Sequence, residues 1–199
     1  MGYASKSPWL IHYDGSSCNG CDIEVLDSLM PLYDLERFGI INTGNPKHAD
    51  IFLVTGSVNH QNINVVKHIY EQMMEPKVVV ACGICACTGG VFRDCYNIIG
   101  GVDKAIPVDV YAPGCAVRPE TIIDAVLKAV DILDEKAKRL AAGEDPATIS
   151  KPMPETPSAP VDESKAAAGA ATAASPAGTA ASAPAKNEQP AAVTKQTNE

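Results

Sequence analysis

The sequence predicts an α/β domain built on a mostly parallel sheet with helices packed on both faces. Two observations point there. Apolar runs of strand length alternate along the chain with stretches of helical spacing. Parallel strands cannot be joined by hairpins and need crossover connections, which those helical stretches supply. The chain has 199 residues, enough for one ordinary domain, and its last third is compositionally unlike the rest.

Taken in order, residues 9–13 form a short apolar strand ended by the Gly15-Ser16-Ser17 turn. Residues 22–30 have helical spacing at Ile23, Leu26 and Met30, and Pro31 stops the helix or starts the next turn. Residues 50–55 are a near-continuous apolar strand closed by Gly56, followed by a helical stripe at Ile63, Val66, Ile69, Tyr70 and Met73. Residues 77–81 and 108–112 give two more strands, and residues 119–140 form a long amphipathic helix opening on Pro119. The expected architecture is doubly wound and flavodoxin-like, without repeats or a heptad seam.

From residue 144 the chain turns to Ala, Pro, Ser, Thr and Gly with few large apolar side chains. Such a segment buries too little surface to offset its ordering entropy. The expectation is a folded domain over residues 1–143 and a disordered Ala/Pro-rich tail over 144–199.

Charge and composition exclude several functions. A net charge of −8 leaves no basic surface for phosphates, so nucleic acid is not an expected partner. No run approaches the roughly 20 apolar residues of a membrane span, and residues 1–9 lack a signal-peptide core. A cytoplasmic protein is expected. Neither a Walker loop, nor a dinucleotide fingerprint, nor a nucleophile elbow occurs.

Seven cysteines are present, an odd number, and in a reducing compartment thiols serve more often as metal ligands or small apolar groups than as disulfides. Their positions carry the information. Cys18 and Cys21 follow the first strand, Cys85 follows the 77–81 strand, and Cys115 follows the 108–112 strand through Pro113-Gly114. Ligands of open parallel sheets sit outside the carboxyl ends of the strands, so these loops should converge on one edge.

Four thiolates there can hold zinc or an iron-sulfur cluster. Structural zinc sites usually pair two short knuckles, whereas here one Cys-x2-Cys unit is completed by two lone cysteines from distant glycine loops. Glycines 83, 89, 90 and 114 let backbone N–H groups approach sulfur, which favours a 4Fe-4S cluster. Cys82 is an alternative ligand, because it forms a second Cys-x2-Cys with Cys85, and Cys87 lies on the same loop. Cys85 ranks first because it falls after the strand has ended. The four histidines show no ligand spacing and are read as packing or surface residues.

Four segments together resemble a known family: Ser17-Cys18-Asn19-Gly20-Cys21-Asp22-Ile23-Glu24, residues 49–56, Gly83-Ile84-Cys85-Ala86-Cys87-Thr88-Gly89-Gly90, and Pro113-Gly114-Cys115. They look like the small subunit of energy-converting nickel-iron hydrogenases, including the formate hydrogenlyase type, over about residues 7 to 138. That group is homologous to the complex I subunit carrying the last cluster before quinone. The resemblance implies that Cys18, Cys21, Cys85 and Cys115 ligate one 4Fe-4S cluster. It also implies a large nickel-iron partner subunit, a ferredoxin-like subunit as the other electron partner, and integral membrane subunits that hold the complex at the cytoplasmic face. The complex I subunit has two adjacent cysteines where this chain has Cys18-Asn19-Gly20-Cys21, and the spaced pair favours hydrogenase. Ala116-Val117 stands where Pro-Pro commonly follows the last ligand, while Arg118-Pro119-Glu120 matches the hydrogenase branch. A quinone-reducing complex I-like subunit and a zinc-stabilised interaction module are the competing expectations.

Overall fold

The computed structural model describes residues 7–150 and 152–154. Its strands are β1 (Trp9–Asp14), β2 (Ile41–Asn42), β3 (Ile51–Thr55), β4 (Val58–Asn59), β5 (Val78–Cys82), β6 (Ile98–Gly100) and β7 (Val110–Ala112). The helices are α1 (Gly20–Leu29), α2 (Ile63–Gln72), α3 (Ile84–Thr88), α4 (Pro119–Ala141) and α5 (Pro146–Ile149).

Five strands form one sheet in the order β2-β1-β3-β5-β7, and every pairing is parallel. Counting only the sheet strands along the chain, this is the flavodoxin-like order 2-1-3-4-5. The doubly wound α/β expectation therefore holds.

Alternation along the strands explains the two-sided core. Leu10, Ile51, Leu53, Val78, Val80, Cys82, Val110 and Ala112 point to one face and pack with Val25 of α1 and Ile122, Val126, Ala129 and Leu133 of α4. Ile11, Phe52, Val54, Val79 and Ala81 point to the other face, against Ile63, Val66 and Tyr70 of α2 and against Val102 and Ile106. Because both faces are covered, the central strands read as unbroken apolar runs.

The edge opposite the strand carboxyl ends is anchored by polar contacts. Buried Lys77 donates from Nζ to the carbonyls of Tyr70 (2.9 Å) and Met73 (3.4 Å). Lys136 of α4 donates to the Lys77 carbonyl (2.8 Å) and pairs with Asp109 Oδ2 (2.9 Å). Past residue 143, α5 buries Ile149, and Ser150 Oγ donates to Glu75 Oε1 at 2.7 Å. The Ala/Pro-rich segment expected to be a disordered tail lies, from residue 155 on, outside the described residues.

Three parts of the fold depart from the periodicity reading. Edge strand β2 has two exposed residues, too few to show alternation. The β5–β7 connection is built from five-residue α3, short 3-10 turns and β6, which pairs antiparallel with β4. Helix α1 forms as expected, but its apolar stripe faces outward: Ile23, Leu26 and Met30 are 58%, 50% and 54% exposed, while Val25 and Ser28 are the buried positions.

Candidate metal centre

All the sheet strands run parallel, β5 beside β7 and β1 one strand away across β3, so the loops after β1, β5 and β7 open on the same edge of the sheet. Each delivers cysteine. Cys18 lies in the loop after β1 and is exposed; Asn19, left-handed at φ 62°, turns the chain into α1, whose first turn carries Cys21. Asn is among the few side chains that adopt this conformation readily.

After β5 the backbone reverses at Gly83, with φ +90°. Its N–H donates to Ala112 O at 2.8 Å and that of Ile84 to Gly114 O at 2.9 Å, which ties the Cys85 loop to the Cys115 loop. A Cβ at Gly83 would stand 2.5 Å from Cys21 Sγ, so the α1 thiol rests directly on this glycine. Equivalent atoms at Gly90 and Gly20 would stand 3.2 Å from Cys85 Sγ and 3.4 Å from Cys18 Sγ. A side chain is thus excluded at Gly83 and would crowd Cys85 at Gly90, while one at Gly20 would be in ordinary contact with Cys18. Cys115 is exposed, and the peptide that follows it is cis.

The thiols of Cys18, Cys21, Cys85 and Cys115 share one electrostatic neighbourhood. Burial pushes the Cys85 thiol above its ordinary range, and Cys21, Cys115, Cys18 and Asp14 push it further. Burial also raises Cys21, the Val117 N–H opposes this, and Cys115, Cys18 and Glu24 add to it. A cationic centre among these thiols would favour their thiolate forms and bind with release of their protons.

The other cysteines are placed differently. Cys82 closes β5, is wholly buried in the core facing α4, and is pushed by burial up to about 12. Cys87, held by burial at about 11, lies with its sulfur 3.7 Å from the carbonyl of Ala81. Cys95 is exposed.

Among the described residues, no three His, Cys, Asp or Glu side chains close on a point that holds a single metal ion. Tetrahedral zinc with ligands at about 2.3 Å would bring thiolates to roughly 3.8 Å from one another. A cubane makes a looser demand, because its four thiolates bind four separate irons. An all-thiol donor set with glycine-cleared surroundings fits that group.

Sequence reasoning missed a polar chain that brackets the first cysteine pair. Asp14 Oδ1 accepts from Ser17 Oγ (3.0 Å) and from Thr55 Oγ1 (3.2 Å). Ser17 Oγ in turn accepts from the Asn19 N–H at 3.1 Å. His12 Nε2 lies 3.2 Å from both Thr55 Oγ1 and Asp22 Oδ1. The Thr55 proton goes to Asp14, so both oxygens facing His12 accept and Nε2 carries the proton. Burial holds His12 below its ordinary range, outweighing the opposing pull of Asp22 and Asp14. The available signal was the placement of His12 and Asp14 two residues apart in an otherwise apolar strand.

Comparison with known proteins bears on the family and the fold. The chain matches the family described as NADH ubiquinone oxidoreductase, 20 Kd subunit, over residues 18–129. It is 46% identical over 144 residues to the probable membrane-bound hydrogenase subunit mbhJ of Pyrococcus furiosus, covering 72% of this chain and 84% of that protein. It is 48% identical over 132 residues to an NADH-quinone oxidoreductase subunit of Citrifermentans bemidjiense, covering 66% of this chain and 75% of the relative. A solved chain of the membrane-bound sulfane sulfur reductase, an archaeal respiratory membrane complex, superposes with a TM-score of 0.58 at 39% identity, covering 66% of this chain and 73% of that one.

Proposed function

The chain belongs to the NADH ubiquinone oxidoreductase 20 kDa subunit family, and from that premise we propose that it is the electron-transfer small subunit of a membrane-associated nickel-iron hydrogenase. In this reading Cys18, Cys21, Cys85 and Cys115 hold one 4Fe-4S cluster. The cluster supplies a one-electron relay between a ferredoxin-like subunit and the nickel-iron site of a large partner subunit. The chain itself contributes ligands, backbone amides and a docking face.

The convergence of the spaced Cys18-Asn19-Gly20-Cys21 pair with the Cys85 and Cys115 loops on one sheet edge carries the reading. Cys18 and Cys115 are exposed, as suits a relay that must pass electrons from one polypeptide to another. Next to them α1 offers Ile23 and Leu26 to the outside, with Met30 at its C-cap and Leu32, 85% exposed, just beyond. An apolar strip of this kind suits burial under a partner subunit. No helix among the described residues is long and apolar enough to cross a membrane. In this reading integral membrane partners hold the chain at the cytoplasmic face.

The test is anaerobic purification of the complex containing this chain. About four iron and four sulfide assigned to this subunit, nickel in a co-purifying chain, and hydrogen evolution from a reduced low-potential donor are expected. A complex without nickel or hydrogen activity sinks the hydrogenase assignment. The 48% identity to an NADH-quinone oxidoreductase subunit supports a second reading, a cluster-bearing subunit of a complex I-like quinone reductase. A co-purifying large subunit with two Cys-x2-Cys pairs near its ends decides for hydrogenase. Zinc without iron or sulfide would instead indicate an interaction module.

A further inference from the structure

The polar chain around the first cysteine pair has a direction and a charge. It runs from Asp22, next to Cys21, through His12 and Thr55 to Asp14, and from Asp14 through Ser17 to the amide of Asn19, next to Cys18. Both accepted hydrogen bonds at Asp14 use Oδ1, which fixes the carboxylate between the β1 loop and β3.

The neighbouring backbone is shaped to admit it. At Gly56, φ +77°, a Cβ would stand 2.9 Å from Asp14 Oδ1 and 2.7 Å from the Ser16 nitrogen. Ser57 fastens the same loop, donating from its N–H (3.1 Å) and its Oγ (3.0 Å) to Ser16 O. Asp14 is also within electrostatic reach of Cys85 on the far side of the edge. A half-buried anion is therefore pinned beside loops that carry three of the four thiols.

We propose that Asp14 is a positioning residue for the cluster, holding the Cys18 loop through Ser17 and Thr55 and setting a fixed negative charge that makes the cluster harder to reduce. The inference rests on the cluster reading of the preceding section. Reduction adds one electron to an already anionic thiolate-ligated centre. A fixed carboxylate raises the energy of the reduced state more than that of the oxidised state, and incomplete screening at a half-buried site preserves part of this difference. Neutralising it while keeping an oxygen acceptor at the same position separates charge from geometry.

The experiment compares the intact complex carrying the wild-type chain, Asp14→Asn, and the double variant Ser17→Ala/Thr55→Val. Iron and sulfide content, the EPR spectrum of the reduced cluster and its midpoint potential are measured for each. In a loaded Asp14→Asn complex the one-electron equilibrium should move about threefold to tenfold toward the reduced form, a rise of roughly 30 to 60 mV. The loaded double variant keeps the charge but frees it to be solvated, so its potential should rise by less and its EPR lines broaden as the Cys18 loop loosens.

A fully loaded Asp14→Asn complex with the wild-type potential overturns the proposal. Should Asp14→Asn fail to retain iron, the double variant decides: wild-type potential and line width in its loaded cluster overturn the proposal, and a raised potential with broadened lines supports it. Absence of iron and sulfide from the wild-type complex defeats the cluster reading and this inference together. An intact wild-type cluster with unmoved variants defeats this inference alone.

Discussion

Exposure and ionisation divide the cysteines of this chain into groups that chemistry can tell apart. Cys82 is buried in the core and held up to about 12, so it should resist alkylation in the native protein and react only on unfolding. Cys95 is exposed and should be labelled readily. Replacing Cys85 or Cys115 by Ser should abolish the EPR signal of the proposed cluster, whereas Cys95→Ser should leave it intact; a full signal in Cys85→Ser shows the ligand assignment to be wrong. His12 supports a separate pH prediction. Its folded-state value lies below its unfolded one, so the neutral ring belongs to the fold, and its stabilising effect is present above about pH 6.5. That contribution is lost as pH falls through the depressed value, because the unfolded chain then takes up the proton first. Denaturant midpoints of wild type and His12→Gln at pH 7.5 and 5.5 should therefore show the wild type losing more stability on acidification. Equal losses count against a neutral, buried His12.

Helix α1 and strand β3 make contrasting use of apolar residues, and the contrast is testable. Leu53 is buried between the sheet and α4, so Leu53→Ala should cost about 2 to 5 kcal/mol of folding stability. Leu26 is half exposed on α1, so Leu26→Glu should leave the folding of this chain nearly unchanged while reducing co-purification of the partner proposed to cover this face. Unfolding of Leu26→Glu, or undiminished partner recovery, contradicts that placement. The same pair marks what the sequence discloses. Strands buried on both faces, such as β3 and β5, stand out as continuous apolar runs, and the 119–140 helix announces itself by Pro119 and its period. Helical period located α1 but not the side it buries, because Val25 and Ser28 make a weaker pattern than Ile23, Leu26 and Met30. The β2, β4 and β6 segments escape because two or three residues do not establish a period. At the site, strand-end placement is the sequence feature from which Cys18, Cys21, Cys85 and Cys115 are proposed to meet on one edge. The Asp14–Thr55 and His12–Thr55 contacts span 41 and 43 residues and become visible only when β1 and β3 pair.

Across the whole molecule the two edges of the sheet are held by different means. At one edge Lys77, Lys136, Asp109, Glu75 and Ser150 join α2, α4, α5 and the starts of β5 and β7 through hydrogen bonds and ion pairs. At the other, the Cys85 and Cys115 loops meet through two backbone hydrogen bonds, Asp14 and Ser57 tie the Cys18 loop to β3 and the loop after it, and the exposed cysteines 18 and 115 contribute little packing of their own. A cluster bonded to all four thiols would link these loops covalently, and a group bound only in the native state adds its binding free energy to folding. Oxidative removal of the cluster should lower the thermal midpoint of the complex and speed amide exchange at residues 15–21, 83–90 and 113–118. Amides of residues 77–80 and 109–110 should stay protected, because the polar anchors at their edge need no cluster. If exchange instead rises equally at both edges, the cluster supports the whole sheet. If it rises at neither, the loops' own hydrogen bonds hold them without a cluster and the proposed division of labour between the edges fails.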